Sequence, residues 1–330
     1  MSHRDHPGAS RSKPSFSCPW CQDSRYRGTL PTPRLEYLIC RNCRSVTATQ
    51  METVDFEKVY RDHFPEGVRR DSPTLAERYG ALLEAWEERI PVRRLLEVGC
   101  GNGQFLHVAK ERGWEAMGLE LSRTQVEHCR SRGLAVVYGD LIRDDLFPEG
   151  GFGLAVAMEV LEHVPDPARI LQGLGERLVP GGGLHVTTPN ATSLSRRILA
   201  GNWSVFDPEH VTLATPQGLA TALTGAGLRQ VEVQSRNVNV GEVIWGVKGR
   251  FGLRRGGGRA RWGGPGPGGA QRHAPATLSG KERTEAAVRL RDQIDGSRVL
   301  RSAKTLVNRA LALSGTGDTL VGRAVHTGGG

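Results

Sequence analysis

A parallel α/β sheet wound with helices on both faces is the fold class this sequence predicts, with a small cysteine-ligated module ahead of it. Three observations carry that expectation. Strand-like and helix-like stretches alternate from 92 to 236, the rhythm of βαβ units. A glycine-rich turn, "LLEVGCGNGQFL" at 95–106, joins an apolar run to a helix-like one, so its backbone N–H groups are expected to face a ligand. Two CxxC pairs stand near the N-terminus with 18 residues between them.

Taken in chain order, residues 1–15 are polar with Pro and Gly and are expected to be disordered. They hold no apolar run of the secretory type, so a reducing, cytoplasmic setting is expected. Residues 16–50 hold "CPWC" (Cys18, Cys21) and "CRNC" (Cys40, Cys43), with "LEYLI" entering the second knuckle as a strand would. Two such knuckles place four thiolates around one tetrahedral Zn²⁺; a full thiolate shell makes the zinc structural. Residues 51–91 are expected to be a helical lid or linker. Within them Leu75, Tyr79, Leu82, Leu83, Trp86 and Ile90 recur at helical spacing before Pro91.

The main domain is expected over 92–245, with strands at 94–98, 115–120, 134–138, 152–158, 183–188 and 229–235 and helices at 104–112, 122–132, 167–178 and 216–226. Residues 246–280 are rich in Gly, Arg and Pro and are expected to be a disordered insertion. A helix over 281–313 and a last strand over 318–325 are expected to complete the domain within 281–330. Charge follows the same division: residues 1–50 carry 8 basic and 3 acidic groups, 51–245 carry 20 and 27, and 246–330 carry 16 and 5. An acidic body between basic ends leaves nucleic acid or an anionic surface open as a partner of 246–280. No apolar run approaches the roughly 20 residues of a membrane span.

The glycine turn reads GxGxG (Gly99, Gly101, Gly103). It lacks the GK[ST] of a P-loop and the GxGxxG of a dinucleotide fold. Glu97 ends the preceding strand, where a carboxylate would repel a pyrophosphate. It suits a phosphate-free, positively charged cofactor, and S-adenosylmethionine is one. Glu120, ending the second strand, can accept from ribose hydroxyls; Asp140, ending the third, can take an adenine amino group.

These stretches, with "GLELS", "YGDL", "AVAMEVLEHVPDP" and "LVPGGGLHVTTPN", resemble the class I S-adenosylmethionine-dependent methyltransferases. The resemblance covers roughly 92–236, plus 318–325. It implies a seven-stranded, mostly parallel, doubly wound sheet whose last strand is antiparallel. It also implies a cofactor site of Glu97, Gly99, Cys100, Gly101, Gly103, Glu120, Leu121, Asp140, Leu141 and Met158.

Two stretches are candidates for the chemistry. In "MEVLEHVPDP", Glu159, Glu162 and His163 stand at i, i+3 and i+4, one face of a helical turn. They could shape the pocket floor, supply a general base, or hold a divalent cation. The stretch is similar to ubiquinone-biosynthesis O-methyltransferases and to methyltransferases of small-RNA 3′ ends, where ExxEH contributes to a metal site. In "NWSVFDPEHVTL", Trp203 and Phe206 could grip a ring or be core, and Glu209 and His210 could deprotonate an acceptor. This stretch is similar to one in sugar and surface-polysaccharide methyltransferases. The expected function is methyl transfer from S-adenosylmethionine to an oxygen of a small molecule, such as a saccharide or glycoconjugate precursor, with His210 or His163 as base and Glu159 and Glu209 orienting. Two alternatives stay open: an RNA methyltransferase that binds RNA through the ribbon and basic insertion, and a non-catalytic zinc adaptor.

Overall fold

The computed structural model of the chain describes residues 16–50, 71–238 and 313–328, with positions 243, 306–307 and 309–311. The expected disorder of 1–15, the first part of the helical lid at 51–70, the Gly/Arg-rich insertion and most of the helix expected at 281–313 lie outside these residues.

Two sheets form. The larger has seven strands: β4 (Arg94–Val98), β5 (Glu115–Glu120), β6 (Ala135–Tyr138), β7 (Phe152–Met158), β8 (Leu178–Pro189), β10 (Arg229–Arg236) and β11 (Thr319–Val325), in spatial order β10-β11-β8-β7-β4-β5-β6. The inner pairings β7–β8, β4–β7, β4–β5 and β5–β6 are parallel, and β11 runs antiparallel between β8 and β10. This is the seven-stranded class I methyltransferase sheet. The central strands β4 and β7 are apolar on both faces because helices cover both. Leu96, Val98, Ala155 and Ala157 pack toward α4 (Pro167–Glu176) and α6 (Pro216–Gly225). Leu95, Leu154 and Val156 pack toward α1 (Pro73–Glu87), α2 (Gln104–Glu111) and α3 (Arg123–Ser131). Glu97 falls by the same alternation on the α2 side.

The strands begin within one residue of the expected places, except that β8 starts five residues earlier, at Leu178. The Pro-Gly run 180–182 reads as a turn in sequence. It is carried inside β8 at the cost of a register irregularity against β7. Helix α1 is built into the body through Leu83 and Trp86. A Cβ at Gly183 of β8 would lie 2.3 Å from the Trp86 ring, so this close helix–sheet approach requires glycine.

The smaller sheet is antiparallel, in order β1 (Tyr26–Pro31), β2 (Glu36–Cys40), β3 (Val46–Ala48) and β9 (Thr212–Leu213). Its fourth strand belongs to the stretch after β8, so the N-terminal module and the main domain share a sheet. Tyr37, Val46, Trp203, Phe206, Val211 and Leu213 form the core between them. The short helix α5 (Leu194–Leu199) precedes that stretch.

Candidate functional site

The glycine turn opens after β4 with all three glycines at positive φ: +71° at Gly99, +53° at Gly101 and +73° at Gly103. A Cβ at Gly99 would meet Val160 at 2.5 Å and one at Gly103 would meet Leu134 at 2.6 Å, whereas one at Gly101 would meet nothing within 4 Å. Gly101 is thus where the turn opens outward. The sequence led us to expect N–H groups facing a ligand, and here the structure differs. Gly99 and Cys100 donate to the Leu119 carbonyl at 2.8 and 3.3 Å, Gly103 to the Cys100 carbonyl at 2.9 Å, and Gly101 to Glu120 Oε2 at 2.9 Å. Donors spent internally suit a cofactor without phosphates better than one that needs an anion cradle.

The two strand-end acids behind this turn differ. Glu120 is buried, and its carboxylate also accepts at Oε1 from Leu121 and Ser122, both at 2.9 Å. Glu97 is 3% exposed, and its Oε2 has no hydrogen-bond partner. Burial, then the nearby Cys129 and Glu120, pushes the Glu97 carboxyl well above the usual carboxylate range. A buried acceptor with no donor is the shape of a subsite for a cationic amine. The residues present therefore fit S-adenosylmethionine: Glu97 could take its ammonium and Glu120 its ribose.

The remaining expected cofactor residues divide. Leu121 and Met158 are half-buried at the ends of β5 and β7. Asp140 shapes its own turn, with Oδ1 accepting from Ile142 and Arg143 at 2.8 and 3.1 Å. Leu141 is buried in the core, and the Cys100 thiol turns inward against Cys129. Sequence reasoning missed a latch over the turn. Gln104 exchanges hydrogen bonds with Ser72 (2.7 and 3.1 Å), and Asp71 binds Asn102 and Arg132. Only the polarity of Asp71-Ser72 before a helix hinted at it.

At the end of β7 the expected single helical face does not form. Glu159 takes the left-handed conformation at φ +54°, strained for a non-glycine residue, and a one-turn 3₁₀ segment (Leu161–His163) follows. Glu159 accepts from Thr187 at 2.8 Å, and desolvation of its carboxyl raises its pKa above the ordinary carboxylate value. Glu162 is buried and accepts from Thr188 at 2.9 Å. Burial and then the Glu159 charge raise its pKa well above the ordinary range. Thr187 and Thr188, at the end of β8, were not singled out in the sequence.

His163 and His210 come together, with ring centroids 4.7 Å apart. Nδ1 of His163 bonds the Glu209 carbonyl at 3.2 Å, and Nδ1 of His210 bonds the Val205 carbonyl at 2.7 Å. A carbonyl only accepts, so each Nδ1 carries a proton, and Nε2 of His163 lies 4.0 Å from Glu162 Oε1. Burial lowers the pKa of His210 below 6.5, against a smaller opposing effect of the Val205 bond. Glu162, His163 and His210 each bring a ligand atom within 4.8 Å of the others. The expected cation set was Glu159, Glu162 and His163; the side chains whose ligand atoms lie together are Glu162, His163 and His210. Glu209 meets His163 through its backbone carbonyl. Trp203 and Phe206 do not form a ring-gripping pair. They are 2% and 4% exposed and pack edge-to-face in the core beneath the loop.

In the N-terminal module the four cysteine sulfurs cluster, with Cys18–Cys43 at 3.6 Å and Cys21–Cys40 at 3.5 Å. Tetrahedral zinc thiolates with Zn–S of about 2.3 Å put sulfurs about 3.8 Å apart. The four cysteines could therefore hold zinc with little adjustment.

The fold is that of a class I methyltransferase domain. Residues 70–233 match a family model described as a methyltransferase domain. By that model this stretch of the chain is a methyltransferase domain. The chain is 34% identical over 132 residues to the ubiquinone biosynthesis O-methyltransferase of Methylococcus capsulatus, covering 38% of this chain and 54% of that one. It is 31% identical over 159 residues to the enzyme of that name from Xanthomonas oryzae pv. oryzae, covering 44% and 64%. The chain thus spans between half and two thirds of the length of these relatives. A crystal structure of a methyltransferase from Archaeoglobus fulgidus aligns with TM-score 0.47 and 19% identity, over 82% of this chain and 100% of that one. Among the described residues, no helix is long and apolar enough to cross a membrane.

Proposed function

We propose that the chain methylates a hydroxyl oxygen of a small molecule. The observation that carries this is the pair of imidazoles, His163 after β7 and His210 in the loop after β8, that meet beside the buried Glu162, with Nδ1 of His210 bonded to the Val205 carbonyl and burial holding that ring toward its neutral form. The relatives' names, which specify O-methylation, support it. S-adenosylmethionine supplies a methyl group on a positively charged sulfur that is already an excellent leaving group. The protein's task is then alignment and proton removal. Glu97 holds the cofactor's ammonium and Glu120 its ribose. His210 or His163 takes the acceptor's proton, and Glu159 and Glu162, fixed by Thr187 and Thr188, orient the acceptor. The acceptor class we favour is a saccharide or glycoconjugate precursor, on the likeness of 202–213 to sugar-pathway enzymes. Zinc on Cys18, Cys21, Cys40 and Cys43 holds the N-terminal module. We place the chain in the cytoplasm, where thiols stay reduced and can ligate zinc.

A second reading rests on the three ligand atoms of Glu162, His163 and His210. A divalent cation held there would lower the pKa of an acceptor hydroxyl. Loss of transfer in EDTA and its return with Mg²⁺ or Mn²⁺ would support this reading; transfer indifferent to EDTA would remove it.

The test of the main proposal uses methyl-labelled S-adenosylmethionine, the purified chain and a source-cell extract with or without ribonuclease. Label in a ribonuclease-resistant sugar or lipid fraction is expected. Label that vanishes with ribonuclease would make RNA the acceptor. Tight cofactor binding without transfer to any fraction would mark a non-catalytic role.

A further inference from the structure

The N-terminal module is bonded to the stretch that carries His210. Strand β9 pairs with β3 in register Val46↔Leu213 and Thr47↔Thr212, and Ala48 donates to the Val211 carbonyl at 2.7 Å. Trp20, between the first two cysteines, donates through Nε1 to Thr212 Oγ1 at 2.6 Å. Thr215 donates to the carbonyl of Cys43 itself at 2.5 Å. Nearest the chemistry is Tyr37 on β2, fully buried, with its ring 5.0 Å from that of Phe206. Its hydroxyl points at the carbonyls of His210 (2.8 Å) and Asp207 (3.3 Å). Those carbonyls bound the turn in which the His210 N–H bonds Asp207 O at 2.9 Å. On the rim, Arg34 of the module pairs with the Asp207 carboxylate.

Two carbonyl oxygens converging in a buried place repel each other unless a donor stands between them. The phenolic proton is that donor, and it comes from the module rather than from the loop. We propose that Tyr37 is a positioning residue: through its hydroxyl the cysteine module fixes the His210 turn, and with it the imidazole opposite His163. The module then serves the acceptor end of the site rather than the cofactor end. This rests on the reading that the histidine pair takes the acceptor's proton.

The test is Tyr37→Phe in the full chain, which keeps the packed ring and removes only the hydroxyl. Four readouts are compared with the wild type: zinc content, S-adenosylmethionine affinity by calorimetry, hydrogen exchange over 205–213, and kcat and KM for transfer of labelled methyl to the extract fraction that accepts it. Zinc content and cofactor affinity are expected to hold. Exchange over 207–213 should rise and kcat fall, each by about tenfold, with KM within about twofold. Wild-type kcat in the variant would overturn the proposal. So would a parallel loss of zinc, cofactor affinity and kcat, which marks a general structural role. If the wild type itself transfers no label, the functional reading has failed, and exchange alone decides whether Tyr37 holds the turn: unchanged exchange overturns the proposal. Should Tyr37→Phe fail to fold, 3-fluorotyrosine at position 37, which keeps the ring and alters only the donor strength of the hydroxyl, is read the same way: unchanged exchange over 207–213 with unchanged kcat overturns the proposal.

Discussion

Glu97 and Glu120 stand 23 residues apart at the ends of adjacent strands, and the turn between them supplies the local hydrogen bonds of the cofactor end. His163 and His210 stand 47 residues apart and meet only because β8 runs parallel beside β7 and the loop after it returns to the end of β7. The last of their supports, Tyr37, lies 173 positions from His210. The cofactor end is therefore a property of one βαβ unit. The acceptor end is assembled from four separated segments, one of them in another sheet. Such a division lets one end stay fixed for a common cofactor while the other is rebuilt for a particular acceptor.

The largest expected effect breaks the acceptor end from a distance. Cys43→Ser removes one of four thiolates. The module should lose its metal and β9 its sheet partner, since Thr215 and Ser45 bond each other beside Cys43. Methyl transfer should become undetectable while cofactor affinity, measured by calorimetry on the same sample, changes by less than about threefold. Equal loss of both would show that the two ends are one cooperative unit. Next in size is His210→Ala, expected to lower kcat by roughly 10²–10⁴ with cofactor affinity unchanged. Full turnover in that variant would leave His163 as the base.

The same division decides what could be read from the letters. Strand-end acids and glycines at fixed offsets are local, and short apolar runs located β4, β5 and β7 to the residue. Strand β9 has two residues, too few to show a period, so its place in the module's sheet was not legible. Trp203 and Phe206 read equally as grip or core because an aromatic side chain serves both. Only a third partner, Tyr37, decides for core. The spacing of Glu159, Glu162 and His163 suggested one helical face. It failed because Glu159 leaves the helical region altogether, its N–H bonding the Thr187 carbonyl at 3.0 Å.

At the cofactor end, Glu97→Gln tests the unpartnered carboxylate. It should weaken S-adenosylmethionine binding by about 10–100-fold, the range for losing one charge-assisted partner. The ligand-free protein should respond in the opposite sense. Burial raises the Glu97 pKa in the folded state above its unfolded value. The unfolded chain then gives up its proton first as pH rises, and stability falls from about pH 4.5 upward to the folded pKa. Glutamine cannot titrate, so the variant should show a higher Tm than the wild type at neutral pH and a smaller loss between pH 4.5 and 7. A Tm below the wild type's at neutral pH would mean that Glu97 has a partner in the free protein.

The smallest effect separates a residue's backbone from its side chain. Glu209 was expected to act through its carboxylate, yet its carbonyl is what meets His163 Nδ1, at 3.2 Å. Every amino acid but proline would offer that carbonyl with the same N–H beside it. Glu209→Ala should therefore leave the His163 tautomer intact and change kcat by less than about threefold. Glu162→Gln, which alters a side chain within ligand distance of both rings, should cost far more. If Glu209→Ala instead matches Glu162→Gln in its loss of kcat, the Glu209 carboxylate acts on the acceptor directly, and the acceptor end reaches further along the 205–210 loop than the histidine pair.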